Sequence, residues 1–174
     1  DLHSFPTRRS SDLSFDLPFN ATKQMVSLFL ADFLSATLRS EQADEPLYRF
    51  VETSLQWLDE AQGLAVSNFH LYFLLRLTRF VGIEPNVEQS EGRFFDLMAG
   101  TYRTSQPPHA HFLPPEEARQ LPLLQRMSLS NLHCFRFSRV QRRRILELLN
   151  DYYRIHLSPF PELRSIDVLR EVFD

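Results

Sequence analysis

Between Arg126 and Arg144 the chain carries six arginines, Arg126, Arg136, Arg139, Arg142, Arg143 and Arg144, and not one Asp or Glu. Guanidinium groups present forked N–H donors that match phosphate and carboxylate oxygens, so this run has the chemistry of an anion-binding surface. Ser138-Arg139-Val140-Gln141 reads as a capping box that opens a helix. It puts Arg139 and Arg142 in a first turn, where the helix macrodipole disfavours cations. Helix stability gives no reason for that placement, whereas a DNA backbone or an acidic peptide does. The competing reading is a solvated face, with Arg143 and Arg144 paired to Glu147 at helical spacing.

Other reactive side chains form weaker patterns. His109 and His111 stand in a proline-rich stretch, and His133 precedes the single cysteine, Cys134. Their spacing fits no strong zinc motif, and on a regular element His133 and Cys134 would point to opposite sides. No metal or other cofactor is expected. One cysteine also excludes an internal disulfide, and packing in the core is its expected role. No nucleophile elbow, phosphate-binding Walker sequence or metalloprotease helix is present, so no catalytic residue is assigned. The pairs Phe94-Phe95 and Tyr152-Tyr153 could stack on bases, but at hairpin and helical spacing they read as core.

A chain that is 43% hydrophobic, with sixteen Phe, is globular and not disordered. Only four Gly argue against a turn-rich all-β fold. Net charge is −3, so any nucleic-acid contact must come from a local patch. The most apolar stretch, Val66 to Val81, is broken by Ser67, Asn68, His70, Arg76, Thr78 and Arg79 and is no membrane span. A cytoplasmic protein is the expectation. The run Asp1 to Leu13, DLHSFPTRRSSDL, resembles residue for residue the translation of a widely used sequencing-library adapter. It is expected to be foreign to the gene and is left out of fold reasoning, which leaves residues 14–174 as one domain.

Helical elements must position the arginines. Asn20 is an N-cap for a helix to about Arg39, with apolar stripes Met25, Leu28, Phe29, Phe33, Ala36 and Val26, Leu30, Leu34, Leu38. Asp44 starts a second helix, with Pro46 in its first turn, buried through Leu47, Phe50, Val51, Leu55 and Leu58 and ended by Gly63. A third follows Ser67, is apolar nearly all round, and stops at Gly82. Glu84 to Arg93 is polar. Arg93 to Leu97 and Thr101 to Arg103 suggest a small hairpin, and Thr104 to Pro115 a loop. Pro115 to Arg119 begins a short helix, and Leu121 to Phe137 is ambiguous, with helical turns around Leu123, Leu124, Met127 and Leu132. The capped helix then runs from Ser138 to about His156, burying Ile145, Leu148, Leu149, Tyr152, Ile155 and His156. A short last helix after Ser165 buries Ile166, Leu169 and Phe173. The sum is an all-α domain: irregular helices with a small β-hairpin and loop insert.

A set of short blocks then matters by its order. Pro18-Phe19-Asn20, Leu28-Phe29-Leu30-Ala31-Asp32-Phe33-Leu34, Phe69-His70-Leu71-Tyr72-Phe73-Leu74-Leu75-Arg76-Leu77, Gly82-Ile83-Glu84-Pro85-Asn86, Phe95-Asp96-Leu97-Met98-Ala99-Gly100 and Tyr152-Tyr153-Arg154-Ile155-His156-Leu157 follow at one spacing. Pro161-Glu162-Leu163-Arg164-Ser165 precedes the last helix. Together, from about Phe15 onward, they resemble the C-terminal helical domain of the RecO family of bacterial recombination mediators, in a form like that of Bacteroidetes. The resemblance implies DNA repair and homologous recombination in the RecF pathway, with no turnover chemistry of its own. It implies binding of single- and double-stranded DNA, of RecR, and of the acidic C-terminal tail of single-stranded DNA-binding protein. It implies loading of RecA and annealing of strands, in the cytoplasm at the nucleoid. The family's N-terminal OB-fold domain is expected to be missing from this chain. Some members hold zinc on four cysteines in the region of Phe94 to Phe112. Those positions are empty here, with Ala99-Gly100 where a Cys-Gly would stand, so zinc is not carried over. The alternative reading is an all-α protein–protein interaction domain with no direct DNA role.

Overall fold

A computed structural model describes residues 17–38, 44–88 and 92–173. The adapter-like run 1–13 lies outside the described residues. Asn20 caps helix α1, Ala21–Thr37, by accepting the Lys23 N–H at 3.1 Å. Asp44 caps α2, Glu45–Glu60, by accepting the Leu47 N–H at 3.0 Å, with Pro46 inside the first turn. Helix α3, Leu64–Phe80, starts four residues, about one turn, earlier than its sequence predicts. Gly63 is therefore its N-cap, at φ 61°, and not the stop of α2, which ends at the Ala61 cap. At the far end Gly82, at φ 77°, closes a Schellman motif: Ile83 N–H donates to Thr78 O at 2.9 Å and Gly82 N–H to Arg79 O at 3.3 Å.

α3 is the central helix, with Phe69, Leu71, Phe73, Leu74 and Leu77 all at most 1% exposed. Val26, Phe29, Leu30 and Phe33 of α1 belong to the same core. Leu28 and Leu38 face outward, so the two predicted stripes of α1 merge into one. α2 adds Leu58 and the stack of Trp57 on Phe69, ring centres 5.6 Å apart. Helix α6, Arg139–His156, follows the capping box, with Gln141 N–H to Ser138 Oγ at 3.2 Å and Ser138 N–H to Gln141 Oε1 at 2.8 Å. Its Tyr153 is fully buried and donates its hydroxyl proton to Leu74 O at 2.7 Å. Helix α7, Ser165–Val172, adds Ile166 and Leu169. The predicted inner face of α6 omits Leu146 and Tyr153, which are among its deepest residues, because the helix serves two cores.

The second core belongs to the insert. Strands β1, Phe94–Asp96, and β2, Thr101–Arg103, form the predicted hairpin, and β3, Phe112–Leu113, extends it to a three-stranded antiparallel sheet in the order β2-β1-β3. β3 lies within the stretch predicted as loop; two residues next to Pro114 give no alternation to read. Phe95, Leu97, Leu113, Ala118 and Tyr152 form the buried cluster. Tyr102 donates its hydroxyl proton to Ala118 O at 2.7 Å, in the short helix α4, Pro115–Ala118. His156 Nε2 donates to Leu97 O at 2.8 Å, tying α6 to the hairpin turn. A short helix α5, Leu121–Leu124, and a 3₁₀ turn, Leu132–Cys134, lead back to α6. Phe95, Tyr152 and Tyr153 are thus core aromatics, not base-stacking ones. Among the described residues no helix is long and apolar enough to cross a membrane.

Candidate anion-binding face

The six arginines divide by what holds them. Arg144 makes a two-pronged bridge to Glu117 of α4, at 2.8 and 3.3 Å, and not to Glu147. Arg143 does pair with Glu147, at 3.2 Å. Arg142 is half-buried and donates from Nη1 to Phe137 O at 2.7 Å, while its buried Nε has no partner. Burial and then the neighbouring Arg139 push the Arg142 pKa down. Arg126, Arg136 and Arg139 are exposed, and their guanidinium groups meet no hydrogen bond or ion pair among the described residues. These three are the arginines of the run whose charge no described residue offsets. Val140, next to Arg139 in the first turn of α6, is 77% exposed.

Arg139, Arg142, Arg143 and Arg170 also rim a notch of about 20 Å³, room for one water, whose walls include His70, Leu169 and Phe173. Arg170 is shared between Asp167, at 3.0 Å, and Glu147, at 3.4 Å, and its Nε is buried without a partner. His70 is 2% exposed, stacks on Phe173 with centres 5.2 Å apart, and leaves Nδ1 unpartnered. Burial, with repulsion from Arg142, takes its pKa down to about 3, so the ring is neutral. Phe173 also lines a larger polar recess of about 380 Å³, with Asn20, Lys23, Gln62 and Ser67 at the starts of α1 and α3. Sequence reading missed His70, Arg170 and this recess, since their elements are brought together only by tertiary packing.

The metal-type residues are dispersed. Among the described residues no group of three or more His, Cys, Asp or Glu could hold an ion. Cys134 is exposed rather than buried, and its Sγ lies 3.3 Å from His133 Nε2. The 3₁₀ turn brings the two neighbours to one side, which a regular helix or strand would not. His109 approaches Asp96 at 3.4 Å, in the insert. Asp96 is 5% exposed. Burial opposes its ionisation, but the N–H groups of Ala99 and Met98, with His109 and Arg103, outweigh that and hold the carboxyl below its usual range.

These features define a mostly helical domain with a small sheet and a cationic face at the start of α6. Residues 19–165 match the family model described as "Recombination protein O C terminal". The chain belongs to the RecO family. It is 46% identical to the DNA repair protein RecO of Phocaeicola vulgatus over 158 residues, covering 90% of this chain and 65% of that protein. The DNA repair protein RecO of Bacteroides fragilis is 40% identical over 160 residues, covering 91% of this chain and 66% of the relative. For that of Porphyromonas gingivalis the figure is 37% over 177 residues, covering 100% of this chain and 72% of the relative. The chain thus spans about two thirds of the length of the first two relatives. No solved structure matches it.

Proposed function

We propose that residues 14–174 are the partner-binding helical domain of a mediator of homologous recombination, with Asp1 to Leu13 foreign to it. It contacts DNA and the acidic tail of single-stranded DNA-binding protein through the face carrying Arg126, Arg136 and Arg139. In the whole protein this serves RecR binding, loading of RecA and strand annealing in the RecF pathway, in the cytoplasm at the nucleoid, without turnover chemistry. The observation that carries the reading is three exposed arginines without a partner among the described residues, in a chain of the RecO family. The notch and recess that share Phe173 support the peptide half of it. Arg139 belongs both to the unpaired set and to the rim of the notch, and the recess opens at the starts of α1 and α3, where helix dipoles favour carboxylates.

Charge reversal tests this. Replacing Arg126, Arg136 and Arg139 together by Glu weakens binding of a labelled single-stranded oligonucleotide and flattens its salt dependence. Each lost phosphate contact removes about one unit of log–log slope. Stability changes little, because the three side chains are exposed and unpaired. Affinity and slope equal to those of the unmodified chain, on folded protein, would return the face to the solvated reading and leave a protein-interaction domain without a DNA role.

A further inference from the structure

The stretch from Gln125 to Phe137 carries Arg126 and Arg136 yet has almost no backbone ladder of its own; beyond short turns it is held by side chains. Arg76 of α3 donates from Nη2 to Gln125 O at 2.6 Å and to Met127 O at 2.7 Å. Asn68, two turns earlier on α3, donates from Nδ2 to Leu132 O at 3.1 Å and to Phe135 O at 2.7 Å. Within the stretch, Asn131 donates to Arg126 O at 2.9 Å and accepts the Ser128 N–H at 2.7 Å. Arg142 takes Phe137 O. Four of the carbonyls caught lie beside a residue of interest: those of Gln125 and Met127 flank Arg126, and those of Phe135 and Phe137 flank Arg136, while Leu132 O lies one turn before Arg136.

We infer that Asn68 and Arg76 are positioning residues for the anion-binding face: they fix, from the buried central helix, where Arg126 and Arg136 are presented. The inference rests on the reading that this face takes an anionic partner. Asn68 is wholly buried and its Oδ1 has no hydrogen-bond partner. A polar side chain kept in a core with half its capacity unused has to be explained by what the other half does. What it does is satisfy two carbonyls of an irregular segment that would otherwise be free to choose other conformations. A rigid presentation matters because two guanidinium groups held in register bind one polyanion without the ordering cost of a loose loop.

The test uses the whole chain and a fluorescein-labelled oligo-dT strand. Asn68→Leu keeps the γ-branched shape and removes both hydrogen bonds. Arg76→Leu, at a half-buried side chain, releases the other pair and decides the matter where Asn68→Leu lowers the folded fraction. For either variant, at helix content equal to the unmodified chain, dissociation constants rise about three- to tenfold and the salt slope falls by about one to two units. In a background already carrying Arg126→Ala and Arg136→Ala, the same substitutions change affinity hardly at all, because nothing is left for them to position. A folded variant with unchanged affinity overturns the inference, as does an effect that persists undiminished in the double-alanine background. Absence of binding by the unmodified chain is a different result. It sinks the anion-face reading itself, and the positioning role with it.

Discussion

His70 shows how one side chain links the cationic face to stability. In the unfolded chain an imidazole takes its proton near 6.5, whereas in the fold its pKa lies at about 3, through burial first and Arg142 second. Below about pH 6.5 the unfolded state therefore binds more protons than the folded one. The contribution of neutral His70 is fully present above that value and is lost as pH falls towards 3. A shift of this size corresponds to a few kcal/mol, lost gradually across the window. Urea midpoints measured from pH 7 to 4 should fall for the unmodified chain and fall less for His70→Phe, which keeps the ring stacked against Phe173. Parallel declines would show that other groups carry the acid sensitivity. The same location explains why Arg142 is a poor choice for testing binding. It shares a wall with His70 and holds Phe137 O, so its loss mixes packing with charge.

At the scale of elements, the caps are where local sequence decides structure. Ser138→Ala removes the oxygen that accepts the Gln141 N–H and should cost about 1 kcal/mol, with the first turn of α6 fraying. That turn carries Arg139, so amide exchange at Val140 to Arg142 should rise beyond the global change, and a uniform change along α6 would count against the cap as its anchor. Caps at Asn20, Asp44 and Ser138 and the stop at Gly82 were all legible, because each needs only residues within one turn of itself. The buried face of α6 was not. Ile145, Leu146, Leu148, Leu149, Tyr152 and Tyr153 make its apolar band too wide for periodicity to choose within it. Only the packing shows that Leu146 and Tyr153 enter the main core while Tyr152 enters that of the insert. The same limit applied to the cationic face. The sequence picks out six arginines, but not that Arg144 is neutralised by Glu117, 27 residues away. Nor could it resolve the stretch from Leu121 to Phe137, four of whose carbonyls are taken by Asn68 and Arg76 on a helix distant in sequence.

The molecule as a whole is two cores sharing one helix face, and their seam is loosely filled. An apolar cavity of about 50 Å³ lies between Leu71 and Leu75 of α3, Phe95 and Leu113 of the sheet, and Leu148 and Tyr152 of α6. The insert depends instead on Asp96, whose Oδ1 accepts the Met98 and Ala99 N–H groups at 3.0 Å each and so shapes the hairpin turn. Its small cluster of apolar side chains offers less burial than the main core, so it should open separately and at lower free energy. Asp96→Asn keeps the size but removes the charge that these donors, with His109 and Arg103, stabilise. Hydrogen exchange should then accelerate at the amides of Phe95, Leu97 and Tyr102 by about one to two orders of magnitude, for a loss of roughly 1.5–3 kcal/mol. Amides of Phe73 and Leu74 in α3 should stay nearly unchanged. Acid acts in the same direction. The Asp96 pKa is lowered in the fold, so its contribution is present above the ordinary carboxyl range and lost as pH falls through the lowered value, beneath most of the His70 window. Equal acceleration in α3 and in the sheet would mean that the two cores unfold as one, and that the seam has no separate opening.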